Sequence, residues 1–238
     1  MKKQLDGRIG WRLLIISLVA VLTWSCATMA PDTPPSERRP LVILLSGIDG
    51  PTEKYRTYAV DVAGLGYYTV LLDGRSFSPH PKANLGDVGL YNLRREIMKA
   101  QSSPKALPGK AAVIGFSLGG GDALSHAATM PELVSAIVAY YPMTSHVSDM
   151  RSFVAQFQVP ILVLAGGRDT YANCCLIGSM RDMEAAAKEG GKPFELVVYP
   201  EAYHNFNHEI EKRNYRAEDA ADAWQRTTKM LSQYQPLR

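Results

Sequence analysis

The sequence predicts an α/β fold in which a mostly parallel sheet has helices on both faces. Apolar runs of strand length alternate with segments of helical periodicity along most of the chain. Strict alternation of this kind places the strands in parallel and covers both faces of the sheet. Proline and glycine mark the junctions, as at Pro108-Gly109 and Pro131. No internal repeat is present, and 238 residues are sufficient for one sizeable core.

The alternation predicts six or seven strands in one domain at residues 41–238. The connection after the fourth predicted strand, residues 142–146, is too short to hold an inserted cap domain. The strands are expected at 41–45, 67–72, 111–116, 134–141, 160–165 and 194–199, and the helices at 52–65, 86–101, 118–129, 147–156, 176–190 and 210–232.

Residues 1–30 have the composition of an export leader. A basic start is followed by an apolar core at 13–24 and then by small residues that offer cleavage sites. The Pro-rich residues 31–40 predict a short flexible tether to the domain. We therefore expect an exported protein, either periplasmic or attached to the membrane.

The sequence leaves open how the leader ends. Cys26 follows a small residue, as in bacterial lipoprotein signals, although the usual aliphatic residue stands one position too early, at Leu22. The alternatives are lipid attachment at Cys26, removal by cleavage, and retention of residues 13–31 as a short membrane anchor.

The excess of basic residues belongs to the leader. The formal net charge of the chain is +3, but residues 1–26 contain four basic side chains and one acidic one, so the remainder carries 22 of each sign. A mature chain without net charge gives no support for nucleic-acid binding.

Ser117 lies in the pentapeptide Gly115-Phe116-Ser117-Leu118-Gly119, between the apolar run 111–114 and a small-residue helical segment. This is the strand, turn and helix context in which G-x-S-x-G exposes a nucleophilic serine. The glycines are needed because the serine adopts strained backbone angles and the helix passes close to the strand. We therefore predict Ser117 as a nucleophile.

The two partners that a hydrolytic serine needs follow in the order Asp, His. Asp169 comes after the fifth predicted strand and His204 after the sixth, and reactive side chains gather beyond the carboxyl ends of parallel strands. We predict Asp169 as the acid that orients His204, and His204 as the base. The alternatives are a helix N-cap at Asp169 and a base at His208, which is expected to face solvent where the last helix starts.

From about residue 41 to residue 231 the chain resembles the α/β-hydrolase superfamily, and within it the dienelactone hydrolase branch. The resemblance implies an α/β-hydrolase fold without a cap domain. It is carried by the elbow at 115–120, the turn from Gly166 to Asp169 with Cys174 beyond it, the segment from Pro200 to Phe206, and Trp224 in the last predicted helix.

The resemblance also implies an oxyanion hole made of the backbone N–H groups of Ile48 and Leu118. Two departures matter. The members best known for opening dienelactones carry cysteine where this chain has Ser117, so that substrate is not implied. Many superfamily members have His-Gly after the first core strand, and this chain has Ser46-Gly47.

Three further residues are candidates for substrate binding. Arg75 follows the second predicted strand, where the resemblance implies an arginine that meets a substrate carboxylate, and the alternative is a salt bridge to Asp73. Arg168 could likewise bind a substrate carboxylate or form a salt bridge with a neighbour. Tyr141 is the third candidate, because it ends the fourth predicted strand. No role is expected for His80, His126 and His146, because lone histidines are usually structural or exposed.

Cys174 and Cys175 are adjacent in the sequence. Neighbouring cysteines pair only through a strained ring, so we expect one buried and one partly exposed thiol instead of a vicinal disulfide. The spacing of cysteine and histidine predicts no metal site, and no cofactor is expected.

These observations predict a serine hydrolase that cleaves a carboxylic ester or lactone through an acyl-enzyme. The alternatives are a thioesterase, peptidase or acyltransferase with the same triad, and an exported binding or assembly factor on a hydrolase scaffold. The expected partner is a small-molecule ester or lactone, with membrane attachment through the N-terminus as a further expectation for the lipidated or anchored forms.

Overall fold

The computed structural model describes residues 37–78 and 86–237. The expectations for the leader, for Cys26 and for His80 lie outside these residues, as does most of the predicted tether. The described residues belong to one compact unit. None of their helices is both long enough and apolar enough to cross a membrane.

One parallel sheet forms the centre of the fold, with the strand order β2-β1-β3-β4-β5-β6. The inner strands β1, β3 and β5 are buried along their whole length, because helices cover both faces. The described residues contain six strands, which confirms the lower of the two predicted numbers. The strands are β1 (Leu41–Leu45), β2 (Tyr68–Leu72), β3 (Ala111–Phe116), β4 (Val134–Tyr140), β5 (Ile161–Gly166) and β6 (Phe194–Tyr199).

Two layers of helices cover the sheet. Helices α2 to α5 pack their apolar side chains on one face, and α1 and α6 pack theirs on the other. Residues 141–149, between β4 and α4, form turns only, so no cap domain is inserted there. The helices are α1 (Glu53–Gly64), α2 (Gly86–Gln101), α3 (Leu118–Ser125), α4 (Met150–Ala155), α5 (Ile177–Glu189) and α6 (Ala217–Tyr234).

The last helix begins later than the sequence predicts. The expected helix over 210–232 starts at Ala217, and the preceding residues 207–216 form turns. Tertiary hydrogen bonds hold these turns: Asn214 Nδ2 donates to the carbonyl of His204 at 2.9 Å, and the Arg216 N–H donates to the carbonyl of Phe206 at 2.9 Å. Hydrogen bonds to the loop that follows β6 therefore hold this segment in turns, against its helical pattern.

Candidate active site

Ser117 stands at the sharp turn between β3 and α3. Its backbone angles, φ 51° and ψ −114°, lie where a side chain is strained. Three backbone hydrogen bonds hold this conformation: Ser117 N–H donates to the carbonyl of Tyr140 at 3.0 Å, and its carbonyl accepts from Gly121 and Met143 at 2.9 Å each. The turn thus presents the hydroxyl of Ser117 at the carboxyl edge of the sheet.

Gly119 explains why the elbow needs glycine. A Cβ atom at this position would lie 2.5 Å from the backbone carbonyl oxygens of both Leu45 and Ser46. The start of α3 therefore passes directly over the end of β1, and any side chain at Gly119 would force the helix away from the sheet.

The structure brings Ser117, His204 and Asp169 together, although their elements are distant in the sequence. His204 Nε2 lies 3.0 Å from Ser117 Oγ, and His204 Nδ1 lies 2.7 Å from Asp169 Oδ2. An ionised carboxylate only accepts, so Nδ1–H donates to Asp169, and Nε2 is left to accept the proton of the serine hydroxyl. All three residues are buried.

The imidazole of His204 packs against two tyrosine rings. Tyr171 stacks on one face, with ring centroids 4.6 Å apart and an angle of 11° between the planes. Tyr141 packs at 4.6 Å with a tilt of 57°. The N–H of Tyr171 also donates to Asp169 Oδ1 at 3.0 Å, so a single residue orients both the base and the acid.

The structure does not place Tyr141 where a substrate can reach it, which corrects the expectation that this residue contacts substrate. Its side chain has no exposed surface, and its hydroxyl donates to Asn207 Oδ1 at 2.8 Å. Burial raises the pKa of the phenol well above its ordinary value, so the ring stays uncharged. Tyr141 supports His204 from behind.

The loop after β1 carries the predicted oxyanion donor at Ile48. Gly47 lies so close to the nucleophile that a Cβ atom there would be 3.5 Å from Ser117 Cβ. Among the described residues, no hydrogen bond engages the backbone N–H of Ile48 or of Leu118. Two unused donors therefore stand beside Ser117, as an oxyanion hole requires.

Salt bridges occupy the two candidate arginines. Arg75 binds Asp73, with Nη2 2.6 Å from Oδ2 and Nε 2.9 Å from Oδ1. Arg168 pairs with Glu201. Each arginine thus forms a salt bridge, which was the alternative to binding a substrate carboxylate. Neither side chain lines the cleft over Ser117.

A buried lysine links the two loops beside the site. Lys54 Nζ binds Asp49 Oδ2 at 2.9 Å and Glu211 Oε1 at 2.8 Å, and Tyr55 Oη donates to Asp49 Oδ1 at 3.0 Å. These interactions join the loop of Ile48 to the turns that follow His204. The sequence did not predict these interactions. The one signal for them is the position of Lys54, four residues before Tyr58 on the buried face of α1, because a lysine is unusual there.

His208 is buried, which contradicts the expectation that it faces solvent. The late start of α6 leaves it in the turns beneath α1, where its ring packs against Tyr55 at 5.4 Å and Phe116 at 5.2 Å. Burial, assisted by the charge of Lys54, lowers the pKa of His208 to about 3, so the ring is neutral. Its Nε2 has no hydrogen-bond partner among the described residues, and the imidazole bonded to Ser117 is that of His204.

Cys174 and Cys175 form a vicinal disulfide, which corrects the expectation of free thiols. Ala172 and Asn173 have positive φ angles of 48° and 53°, and they turn the chain so that both cysteines are buried beside each other. The two sulfurs and a ring nitrogen of His204 lie within 4.8 Å of one another. Sulfurs bonded in a disulfide are not thiolates, so this group is not a metal site in this form.

The residues around Ser117 enclose a cleft of about 280 Å³ that is open to solvent. Its wall combines the exposed apolar side chains of Ile48 and Tyr171 with polar groups, so it admits a small ester of mixed polarity. The lining residues are Ile48, Asp49, Lys54, Tyr55, Ser117, Tyr171, His204, Asn205, Glu211 and Asn214.

Sequence comparisons identify proteins that are similar to this chain. The model of the dienelactone hydrolase family matches residues 80–235. A Yersinia pestis protein named as a carboxymethylenebutenolidase is 35% identical over 133 residues, which are 52% of this chain and 47% of that protein. A Methylorubrum extorquens protein with the same name is 26% identical over 221 residues, 82% of this chain and 72% of that protein. The chain thus spans about half the length of the first relative.

Solved structures share the fold. A Klebsiella pneumoniae protein named as a dienelactone hydrolase has a TM-score of 0.70 at 24% identity, over 83% of this chain and 88% of that chain. A Pyrococcus furiosus esterase has a TM-score of 0.64 at 18% identity, over 83% and 84%. The predicted α/β-hydrolase fold is therefore confirmed, and, since the family model covers most of the domain, the chain belongs to the dienelactone hydrolase family.

Proposed function

We propose that the chain is a serine hydrolase that cleaves a carboxylic ester or lactone through an acyl-enzyme. The observation that carries the proposal is the continuous series of hydrogen bonds from Ser117 Oγ to His204 Nε2, at 3.0 Å, and from His204 Nδ1 to Asp169, at 2.7 Å. Such a series gives a serine hydroxyl a base that is already oriented.

In the first half of the reaction, Ser117 Oγ attacks the carbonyl carbon while His204 Nε2 takes the hydroxyl proton. Asp169 stabilises the imidazolium that forms, and the N–H groups of Ile48 and Leu118 donate to the oxygen that becomes negative. The C–O bond to the alcohol then breaks, and His204 returns the proton to the departing oxygen. The acyl group remains on Ser117.

In the second half, water attacks the acyl-enzyme and His204 Nε2 takes a proton from it. Collapse of the tetrahedral intermediate releases the carboxylic acid and returns the proton to Ser117 Oγ. For a lactone, the alcohol and the acid are parts of one molecule. The open cleft supports this proposal because no inserted domain covers Ser117 in the part of the chain that the structure describes, so the cleft admits water and a small ester.

Replacement of Ser117 by alanine tests the proposal. We expect hydrolysis of 4-nitrophenyl acetate to fall at least about 10³-fold, and labelling by a fluorophosphonate probe to disappear, while the circular dichroism spectrum is retained. Ser125→Ala, at the far end of the same helix, is the matched control and should keep both activities. Activity that persists in Ser117→Ala removes this residue from the chemistry, and wild-type protein that is neither labelled nor active supports a binding factor on a hydrolase scaffold.

We also propose that the protein is exported, on the composition of residues 1–30. Expression of the full chain in a bacterial host, followed by fractionation, should place it outside the cytoplasm. Metabolic labelling with palmitate distinguishes the alternatives, because a Cys26→Ser variant loses the label only if the lipid is attached there. A full chain found in the cytoplasmic fraction contradicts export.

A further inference from the structure

The cleft over Ser117 contains more negative than positive side chains. Its charged lining residues are Asp49, Glu211 and Lys54. Lys54 is the single cation among them, and it is bonded to both carboxylates, at 2.9 and 2.8 Å. Within the described part of the chain, the wall of the cleft thus has a net charge of −1 and no cation available to bind a substrate anion.

The depth of these side chains makes the wall more negative than the count suggests. The Lys54 side chain is 7% exposed, whereas those of Asp49 and Glu211 are 40% and 37% exposed. The two carboxylates are therefore more accessible than the ammonium group to a molecule that enters the cleft. Because a Coulomb interaction weakens with distance, the nearer negative charges dominate.

Among the described residues, cations elsewhere near the cleft do not reverse this sign. The charge of Arg75 acts on Asp49, but Arg75 forms its ion pair with Asp73 and lies outside the lining. Arg168 pairs with Glu201 and also lies outside the lining. The exposed Lys212 and Arg213 follow Glu211 in the chain but do not line the cleft. Their charges face solvent, where water and salt screen them.

A second depression, of about 260 Å³, shares Lys54 as a wall and extends the negative surface. Its charged lining residues besides Lys54 are Glu53, Asp61 and Glu209. The buried ring of His208 also lines it and is neutral.

We propose that the site selects esters in which the acyl or alcohol part carries a positive charge, accepts uncharged esters less well and discriminates against esters that carry a carboxylate. This inference rests on the proposed hydrolase function, since it assigns a substrate class to the same cleft. The expected order of the three charge types follows from the net negative charge of the lining and from the greater exposure of Asp49 and Glu211 than of Lys54.

Three 4-nitrophenyl esters of matched shape test the ordering: the cationic 4-(trimethylammonio)butanoate, the uncharged 5,5-dimethylhexanoate and the anionic hemiglutarate. We expect kcat/KM to fall in that order, by about three- to tenfold at each step in low salt. The differences in kcat/KM between the esters should become smaller as sodium chloride screens the charges. Equal rates, the reverse order, or an order that salt leaves unchanged overturns the proposal.

Glu211→Gln assigns the effect to this wall, because glutamine still accepts a hydrogen bond from Lys54 but lacks the charge. The ratio of kcat/KM between the cationic and anionic esters should fall about three- to tenfold. Glu184→Gln, an exposed position on α5, is the matched control and should leave the ratio unchanged. An unchanged ratio in Glu211→Gln also overturns the proposal.

Binding to the Ser117→Ala protein separates this inference from the proposed function. Titration calorimetry with the same three esters gives dissociation constants without turnover, and these should follow the same order. If the order holds in binding while wild-type protein hydrolyses none of the esters, the hydrolase function fails and the charge preference stands. If wild-type protein hydrolyses the esters but neither Kd nor kcat/KM follows the order, the charge preference alone fails.

Discussion

The two sides of the cleft over Ser117 are held by different kinds of interaction. The elbow side, residues 115–122, is fixed by backbone hydrogen bonds and by the close approach of Gly119 to β1. The ionic side, formed by Asp49, Lys54 and Glu211, is fixed by side-chain charges. The nucleophile therefore depends on steric fit, whereas the arrangement of the oxyanion loop against the turns after His204 depends on electrostatics.

Asp169→Asn should have the largest effect on activity, because it breaks the series of hydrogen bonds that runs from Ser117, on the elbow side, through His204 to Asp169. The N–H of Tyr171 holds the side-chain oxygen at the Oδ1 position, so the asparagine turns its amide N–H toward Nδ1 and holds His204 in the wrong tautomer. We expect kcat to fall roughly 10⁴-fold, a magnitude known from the corresponding change in a serine protease. Steady-state kinetics on 4-nitrophenyl acetate measures this, with Asp182→Asn on α5 as control. A loss of less than about tenfold would contradict the assigned role of Asp169.

Gly119→Ala tests the steric account of the elbow. Its Cβ would overlap two backbone carbonyl oxygens, at 2.5 Å each, and we expect the free energy of unfolding to fall by about 2 kcal/mol or more. Gly178→Ala is the matched control, because no atom lies within 4 Å of its added Cβ. That change should stabilise α5 by about 0.5–1 kcal/mol. Urea unfolding of both variants gives the comparison, and equal stabilities would refute tight packing at Gly119.

The contributions of the two sides to the free energy of unfolding should change with pH in opposite directions. In α3, burial raises the pKa of Asp122 from 3.8 to about 7, although Ser78 donates to the carboxylate. The associated stability is complete below about pH 4 and is lost as pH rises through about 7. On the ionic side, burial opposes ionisation of Asp49, but bonds from Lys54 and Tyr55 outweigh it and lower the pKa. Its stability is present above about pH 4 and is lost as pH falls further.

Asp122→Asn isolates the elbow side of this pH response. Removal of the buried charge should raise the free energy of unfolding at pH 8 by about 1–3 kcal/mol and leave it nearly unchanged at pH 4. Urea titrations of wild type and variant at the two pH values provide the measurement. A variant that is less stable than wild type at pH 8 would show that the carboxylate is needed in the folded state.

A double-mutant cycle of Lys54→Met and Glu211→Gln measures the ionic side, where we expect the smallest effect. The carboxylates are partly exposed, so the coupling energy in unfolding should be about 1 kcal/mol. It should also shrink in 1 M salt. A coupling near zero would mean that this side is held by packing, as the elbow side is.

The sequence predicted the elbow side and the two strand ends that carry Asp169 and His204, because the signals for these elements are local. The glycines around Ser117, the strand ends before Asp169 and His204, and the alternation that defines the sheet are all readable within short windows. Strands β1, β3 and β6 have the predicted bounds. Convergence of the three side chains follows from the parallel sheet, whose strand ends share one edge.

The ionic side could not be predicted in the same way. Lys54 and Glu211 are 157 positions apart, and each is an ordinary charged residue in its own segment. His208 is buried in the turns that precede the late start of α6, so the predictions for His208 and for this helix were wrong together. The disulfide between Cys174 and Cys175 depends on the positive φ angles of Ala172 and Asn173. Asparagine adopts such angles more readily than most residues, but alanine gives no signal for them.

Trapping of the acyl-enzyme tests whether Ser117 is the nucleophile. Wild-type protein mixed with excess 4-nitrophenyl butyrate is quenched in acid within milliseconds, digested and examined by mass spectrometry. The account predicts a butyryl group on the peptide that contains Ser117, and on no other peptide, with a matching burst of nitrophenol that Ser117→Ala lacks. Turnover with no acyl group on Ser117, or with the acyl group on a different residue, would contradict it.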